Sequence, residues 1–233
     1  MLICESVANF VSMTRVFAIG DVHGCSRTFR KMVLEEIKLR KGDVLYCLGD
    51  YVDRGKDSKG VVDFIMQLRL KGYSVIALRG NHEQLMMDSV QSEARFNHWT
   101  DNGGYETLES FGVDSYRDVP LLYKGFFRGT ELYSIYNRYI FVHAGLNFNS
   151  PDPLEDKESM LWIRDWKVDK DVLGDGIIVH GHTPIALGVI LAQAGGNVYN
   201  LDGGCVYKQR EGLGNLVGLN VTESKFIVVR NID

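Results

Sequence analysis

Three short apolar runs dominate the first eighty residues, each ending in glycine beside an acid or an amide. Val16 to Ile19 runs into Gly20-Asp21, Val44 to Leu48 into Gly49-Asp50, and Val75 to Leu78 into Arg79-Gly80-Asn81. A segment of helical period follows each: Phe29, Met32, Val33 and Ile37 behind a Ser26 cap, then Val61, Val62, Ile65 and Leu68, then Leu85, Met86 and Val90. Strands separated by amphipathic helices cannot pair through hairpins, so the pattern predicts a parallel sheet with helical crossovers.

Residues 84 to about 130 read as a helical insert or cap, broken at Gly103-Gly104. The period then becomes that of strands: Glu131 to Tyr136, Tyr139 to Val142, Ile177 to Val179, Gly188 to Leu191, Asn197 to Leu201, and a hairpin from Leu216 to Val229. The expected fold class is α/β, a two-sheet β-sandwich flanked by helices. Its first half is parallel-rich and its second half an antiparallel-rich sheet facing the first. We expect one domain over residues 14–233, with residues 1–13 outside its core.

Of the 233 residues, 45% are hydrophobic, enough for a sizeable core and too many for general disorder. Lys and Arg number 26 against 30 Asp and Glu. No global cationic field is therefore available to nucleic acid or anionic lipid, and an anionic substrate must be held locally. Cys4, Cys25, Cys47 and Cys205 are scattered without a CxxC pair, which fits a reducing cytoplasm. Cys25 and Cys47 are read as buried small residues. Gly176 to Leu201 lacks any charged residue, yet His180, His182, Pro184, Gln193, Asn197 and Asn200 interrupt it, so no membrane span is expected.

Five strands end in side chains able to bind metal: Asp21 and His23 after the first, Asp50 after the second, Asn81 after the third, His143 after the hairpin, and His182 after Ile177 to Val179. Ligands of open α/β sheets gather at strand C-termini. This mixed carboxylate, imidazole and amide set suits Mn, Fe, Zn or Ni and is too rich in imidazole for Ca or Mg. His180, His98 and Trp162 are read as structural, and Asp202-Gly203-Gly204 as a loop.

The motifs GDVHG at 20–24, GDYVDRG at 49–55, RGNHE at 79–83, HAG at 143–145 and HGHTP at 180–184 stand in order along the chain. Together they resemble the phosphoprotein phosphatase family of calcineurin-like metallophosphoesterases, most of all its compact bacterial and bacteriophage serine/threonine phosphatases. The resemblance implies two divalent metals, manganese foremost. Asp21 and His23 would serve the first, Asp50 would bridge, and Asn81, His143 and His182 would serve the second. It implies phosphate binding by Arg54 and Arg164 with Asn81 and His82, a general acid in His82, and Asp53 orienting it. A hydroxide bridging the metals would attack phosphorus in line. The implied function is phosphomonoester hydrolysis, with a phosphorylated protein or a small phosphomonoester as substrate and no nucleic acid or membrane partner. Symmetric hydrolysis of diadenosine tetraphosphate and a non-catalytic scaffold are the alternatives.

Overall fold

The computed structural model describes residues 14–233; the expected extension at 1–13 lies outside the described residues. Strand β1 (Val16–Ile19) is buried along its whole length, as a strand covered on both faces must be. It pairs in parallel with β2 (Val44–Cys47), and β2 with β3 (Ser74–Ala77). Helices α1 (Ser26–Lys31, continuing as a π turn over Met32–Glu36) and α2 (Ser58–Leu70) are the crossovers. The three βα units are therefore those expected from the repeated pattern.

Four helices follow: α3 (Asn81–Asp88), α4 (Glu93–Trp99), α5 (Tyr105–Phe111) and α6 (Leu121–Arg128). The chain then lays down β4 (Tyr133–Tyr136) and β5 (Tyr139–Val142), the short helices α7 (Lys157–Trp162) and α8 (Lys170–Leu173), and β6 (Ile177–His180). Gly188 to Leu191, expected as a strand, is instead the core of helix α9 (Leu187–Leu191). A short apolar run fits either period, and because β6 pairs in parallel with β7 (Val198–Asn200) the segment between them has to serve as the crossover. The second sheet has the order β4-β5-β6-β7, with β4 and β5 antiparallel and the other pairs parallel.

The closing hairpin, β8 (Asn215–Asn220) and β9 (Lys225–Arg230), does not join that sheet. Its β8 pairs antiparallel with β1, completing a five-stranded first sheet, β3-β2-β1-β8-β9. Alternation along β1 sends Val16 and Ala18 to the face shared with Phe141, Val179 and Tyr199 of the second sheet, and Phe17 and Ile19 to the face packed by Phe29 and Ile65 of α1 and α2. Tyr46 and Phe141 stack across the sandwich with ring centroids 3.9 Å apart. Among the described residues no helix is long and apolar enough to cross a membrane.

Candidate metal centre

The two parallel stacks point their strand C-termini the same way, and the loops leaving them carry the polar residues. Asp21 and His23 follow β1, Asp50 follows β2, Asn81 opens α3 after β3, His143 follows β5 and His182 follows β6. All six are buried. Sharp turns bring them inward: of the eight non-glycine residues with positive φ among those described, five are His23, Asp50, Asp53, Arg54 and His182. Such conformations are costly for side-chain-bearing residues and cluster where the surrounding fold enforces them. Gly80 is required by the same crowding, because a Cβ there would lie 2.0 Å from Asp50 Oδ1.

Asp50 is the hub. His23, Asp50 and His82 bring one ligand atom each within 4.8 Å of one another, and Asp50, His143 and His182 do the same. Burial alone would raise its carboxyl, but His143, His82, His23 and His182 around it outweigh that and hold it below the ordinary range. The orientation of the imidazoles is decisive. His23 Nδ1 donates to the Val52 carbonyl at 2.8 Å and His143 Nδ1 to that of Leu48 at 2.9 Å. Each ring therefore turns an unprotonated Nε2 towards the hub, 3.4 Å from Asp50 Oδ2 and 3.5 Å from Asp50 Oδ1 respectively. His143 Nε2 also lies 3.0 Å from Asn81 Oδ1, lone pair facing lone pair. His182 Nδ1 lies 2.8 Å from the same oxygen, and its buried Nε2 has no partner.

Acceptors converging without protons between them are an arrangement that a cation satisfies, so the residues fit a pair of divalent metals. Burial, and for His23 then the Arg54 guanidinium, keeps His23 and His143 below their usual pKa, and His182 is pushed down to about 3, chiefly by burial. All three are thus neutral and ligand-competent at pH 7. Asp21 stands at the edge of the cluster, accepting from the His182 backbone N–H at 3.1 Å on both oxygens, and its carboxyl is raised by burial, then by Asp202 and Asp50.

His82 sits differently. Its Nδ1 is paired to Asp53 at 2.7 Å, leaving Nε2 4.0 Å from Asp50. Burial would lower its pKa, but Asp50 and Asp53 outweigh burial and raise it, so the site favours its protonated form. Asp53 in turn accepts from Trp99 Nε1 at 3.0 Å and from Thr107 Oγ1 at 2.7 Å. The two arginines diverge. Arg54 is half-buried, its Nη1 donating to His23 Nε2 at 2.6 Å, whereas Arg164 is exposed at the rim and reaches Thr183 Oγ1 at 3.3 Å.

His180 turns away from the cluster and packs against Trp166, with ring centroids 5.3 Å apart. Cys25 and Cys47 are buried as expected, and His98 is exposed. Trp162, expected in the core, is 37% exposed at the rim, its ring edge-on to His182. Four participants were missed in the sequence. Glu83 closes the RGNHE motif and accepts four backbone N–H groups from Gly80, Asp50, Tyr51 and Val52. Its place in the first turn of a helix was a readable signal. Trp99 and Thr107 carry none, being ordinary residues of an insert. Asp202 was read as a loop residue, yet it is buried beside Asp21, with its carboxyl pushed up to about 7 by burial and by Asp50.

Known proteins share this frame. A "Serine/threonine-protein phosphatase 1" of Salmonella typhimurium is 26% identical over 82% of this chain and 87% of its own length. A "Bis(5'-nucleosyl)-tetraphosphatase, symmetrical" of Nitrosospira multiformis is 30% identical over 56% of this chain, which spans 43% of that protein. The solved structure of a protein serine/threonine phosphatase from Saccharomyces cerevisiae superposes with a TM-score of 0.65 at 15% identity, covering 97% of this chain and 82% of that one, and so shares the fold. The sequence profile described as calcineurin-like phosphoesterase matches residues 14–217, a span that begins just before β1 and ends inside β8. That span holds every strand end at which the lone pairs converge, and the chain belongs to the calcineurin-like phosphoesterase family.

Proposed function

We propose that the chain is a metal-dependent phosphomonoester hydrolase acting on phosphoserine and phosphothreonine in proteins. The observation that carries this reading is the division of labour among the imidazoles. His23 and His143 turn an unprotonated Nε2 inward and His182 turns its Nδ1 towards Asn81 Oδ1, while the carboxylates of Asp50 and Asp53 favour the protonated form of His82. Two divalent metals, manganese foremost, held by Asp21, His23, Asp50, Asn81, His143 and His182 would activate water and polarise the phosphoryl group. Arg54 and Arg164 supply guanidinium forks matched to the oxygens of a dianionic monoester. His82 delivers its Nε2 proton to the leaving oxygen, and Asp53 keeps the ring in that orientation.

A buried proton donor of this kind matters most for a poor leaving group such as the serine alkoxide, and little for a nucleotide expelled from an anhydride. Symmetric diadenosine tetraphosphate hydrolysis is the second reading, supported by the name of the Nitrosospira relative. We read residues 14–233 as one domain with a helical insert. The buried free thiols Cys25, Cys47 and Cys205 suit a reducing compartment such as the cytoplasm.

The test is a substrate panel on manganese-loaded protein: p-nitrophenyl phosphate, a phosphodiester, a phosphoserine peptide and diadenosine tetraphosphate side by side. The peptide should be turned over with the highest kcat/KM of the three natural bond types. A higher kcat/KM on the dinucleotide transfers the assignment to the second reading. Failure to bind manganese or cleave the aryl phosphate leaves the fold as a binding scaffold.

A further inference from the structure

A groove of about 460 Å³ opens beside the metal centre, with Arg54 standing in the wall between the two. One side is the loop after β1, another the 54–57 turn, and the third the chain around Lys208 and Asp233. Its basic side chains are Arg27, Lys56 and Lys208, all exposed. Its two carboxylates are already engaged. Asp57 accepts from the Gly60 N–H at 2.9 Å and from the Ser26 hydroxyl, and Asp233 accepts from the N–H groups of Arg27 and Thr28 at 3.0 Å. Lys208 donates to the Asp233 main-chain oxygen. Among the described residues, Arg27 and Lys56 form no ion pair. In a chain of net charge -4, the groove sets four basic side chains, Arg54 included, against the two carboxylates of Asp57 and Asp233.

Arg54 ties the groove to the chemistry. Its Nη1 rests on His23, and its guanidinium lies 5.6 Å from the Tyr207 ring, which also carries Arg210 at 4.4 Å. A substrate whose phosphoryl group is held by Arg54 therefore has the groove beside it to receive its next atoms. The cations there sit on long, exposed side chains from three separate segments, spread along a rim. That suits carboxylates spaced along a peptide better than a compact phosphate chain, which favours a converging fork.

We propose that this groove is a subsite for acidic side chains flanking the phosphorylated residue, which makes the substrate class phosphoserine or phosphothreonine within an acidic stretch of protein. The proposal rests on the phosphoprotein reading above.

The experiment uses the manganese-loaded full chain and its Arg27→Glu/Lys56→Glu double variant, with Arg27→Ala/Lys56→Ala as a milder companion. Substrates are p-nitrophenyl phosphate, a phosphoserine peptide flanked by Asp and Glu, the same peptide flanked by Ala, and diadenosine tetraphosphate. The unaltered chain should show a KM about tenfold lower for the acidic peptide than for the neutral one, a preference that fades in high salt. The Glu variant should lose or invert it and the Ala variant should weaken it, with turnover of p-nitrophenyl phosphate unchanged in both. Equal KM values for the two peptides in the unaltered chain, or a preference surviving both double variants, overturns the subsite while leaving the phosphoprotein reading intact. Cleavage of the aryl phosphate and the dinucleotide but of neither peptide overturns the phosphoprotein reading and this proposal with it.

Discussion

A histidine in this site is assigned its work by what its Nδ1 touches. A carbonyl partner at Val52 or Leu48 leaves His23 and His143 neutral with Nε2 unprotonated, whereas the Asp53 carboxylate stabilises the protonated form of His82. Replacing His82 by Asn should therefore lower kcat on an alkyl phosphate by about a hundredfold, yet cost much less on p-nitrophenyl phosphate, whose leaving group scarcely needs a proton. Equal losses on the two substrates would remove His82 from the proton transfer. Asp202 is a second case of environment deciding role. Its folded-state pKa of about 7 lies above the ordinary 3.8, so the protonated form is the one folding favours. The cost of its buried charge is absent below the ordinary value, grows as pH rises between the two, and is complete above the folded one. Asn keeps an oxygen for the Gly204 N–H, which donates to Asp202 Oδ1 at 2.9 Å. Asp202→Asn should accordingly raise the Tm of chelator-treated protein at pH 8 and change it little at pH 4.

The helices act through single hydrogen bonds onto the loops. The insert is a buttress: Trp99 on α4 and Thr107 on α5 both donate to Asp53, so the residue that aims His82 is itself aimed from about fifty positions along the chain. Gly104 lets the two helices close over that contact, because a Cβ there would lie 2.6 Å from the Trp99 ring. Trp99→Phe keeps most of the buried ring and deletes the donor. It should reduce kcat on alkyl phosphates about tenfold with KM and aryl phosphate turnover preserved, a split that simple loosening of the core would not produce. Glu83, in the first turn of α3, gathers the backbone of the Asp50 loop, and burial and Asp50 push its own carboxyl up to about 7. Glu83→Ala would strand several buried N–H groups and should destabilise folding by about 3–5 kcal/mol, read from chemical denaturation.

Across the whole molecule, the two sheets are the frame that sets one half of the site against the other: Asp21, His23, Asp50 and Asn81 come from the first, His143 and His182 from the second. Because cations relieve the repulsion among converging acceptors, metal binding should stabilise the fold. Saturating manganese at about a hundredfold over its Kd should add about 2.7 kcal/mol and raise Tm, an increase reversed by chelator and abolished in Asp50→Asn. An unchanged Tm in the parent chain would show that the cluster holds no metal.

The parallel βα units and the polar strand ends were legible in the sequence because both are local: side-chain period and the residue after a strand are set within a few positions of the chain. The motif order added the family and the six candidate ligands. Folding decided the rest, since it depends on contacts between distant segments. Whether 188–191 would be strand or helix turned on β6 and β7 pairing in parallel, which needs a crossover between them, and the destination of the terminal hairpin turned on the open edge of β1. The support of Asp53 by Trp99 and Thr107, the crowding of Asp202 against Asp21, and the basic groove behind Arg54 each join residues that sequence spacing keeps apart. Short-range geometry specified the chemistry at each strand end, and only packing two sheets and an insert together specified what each group would face.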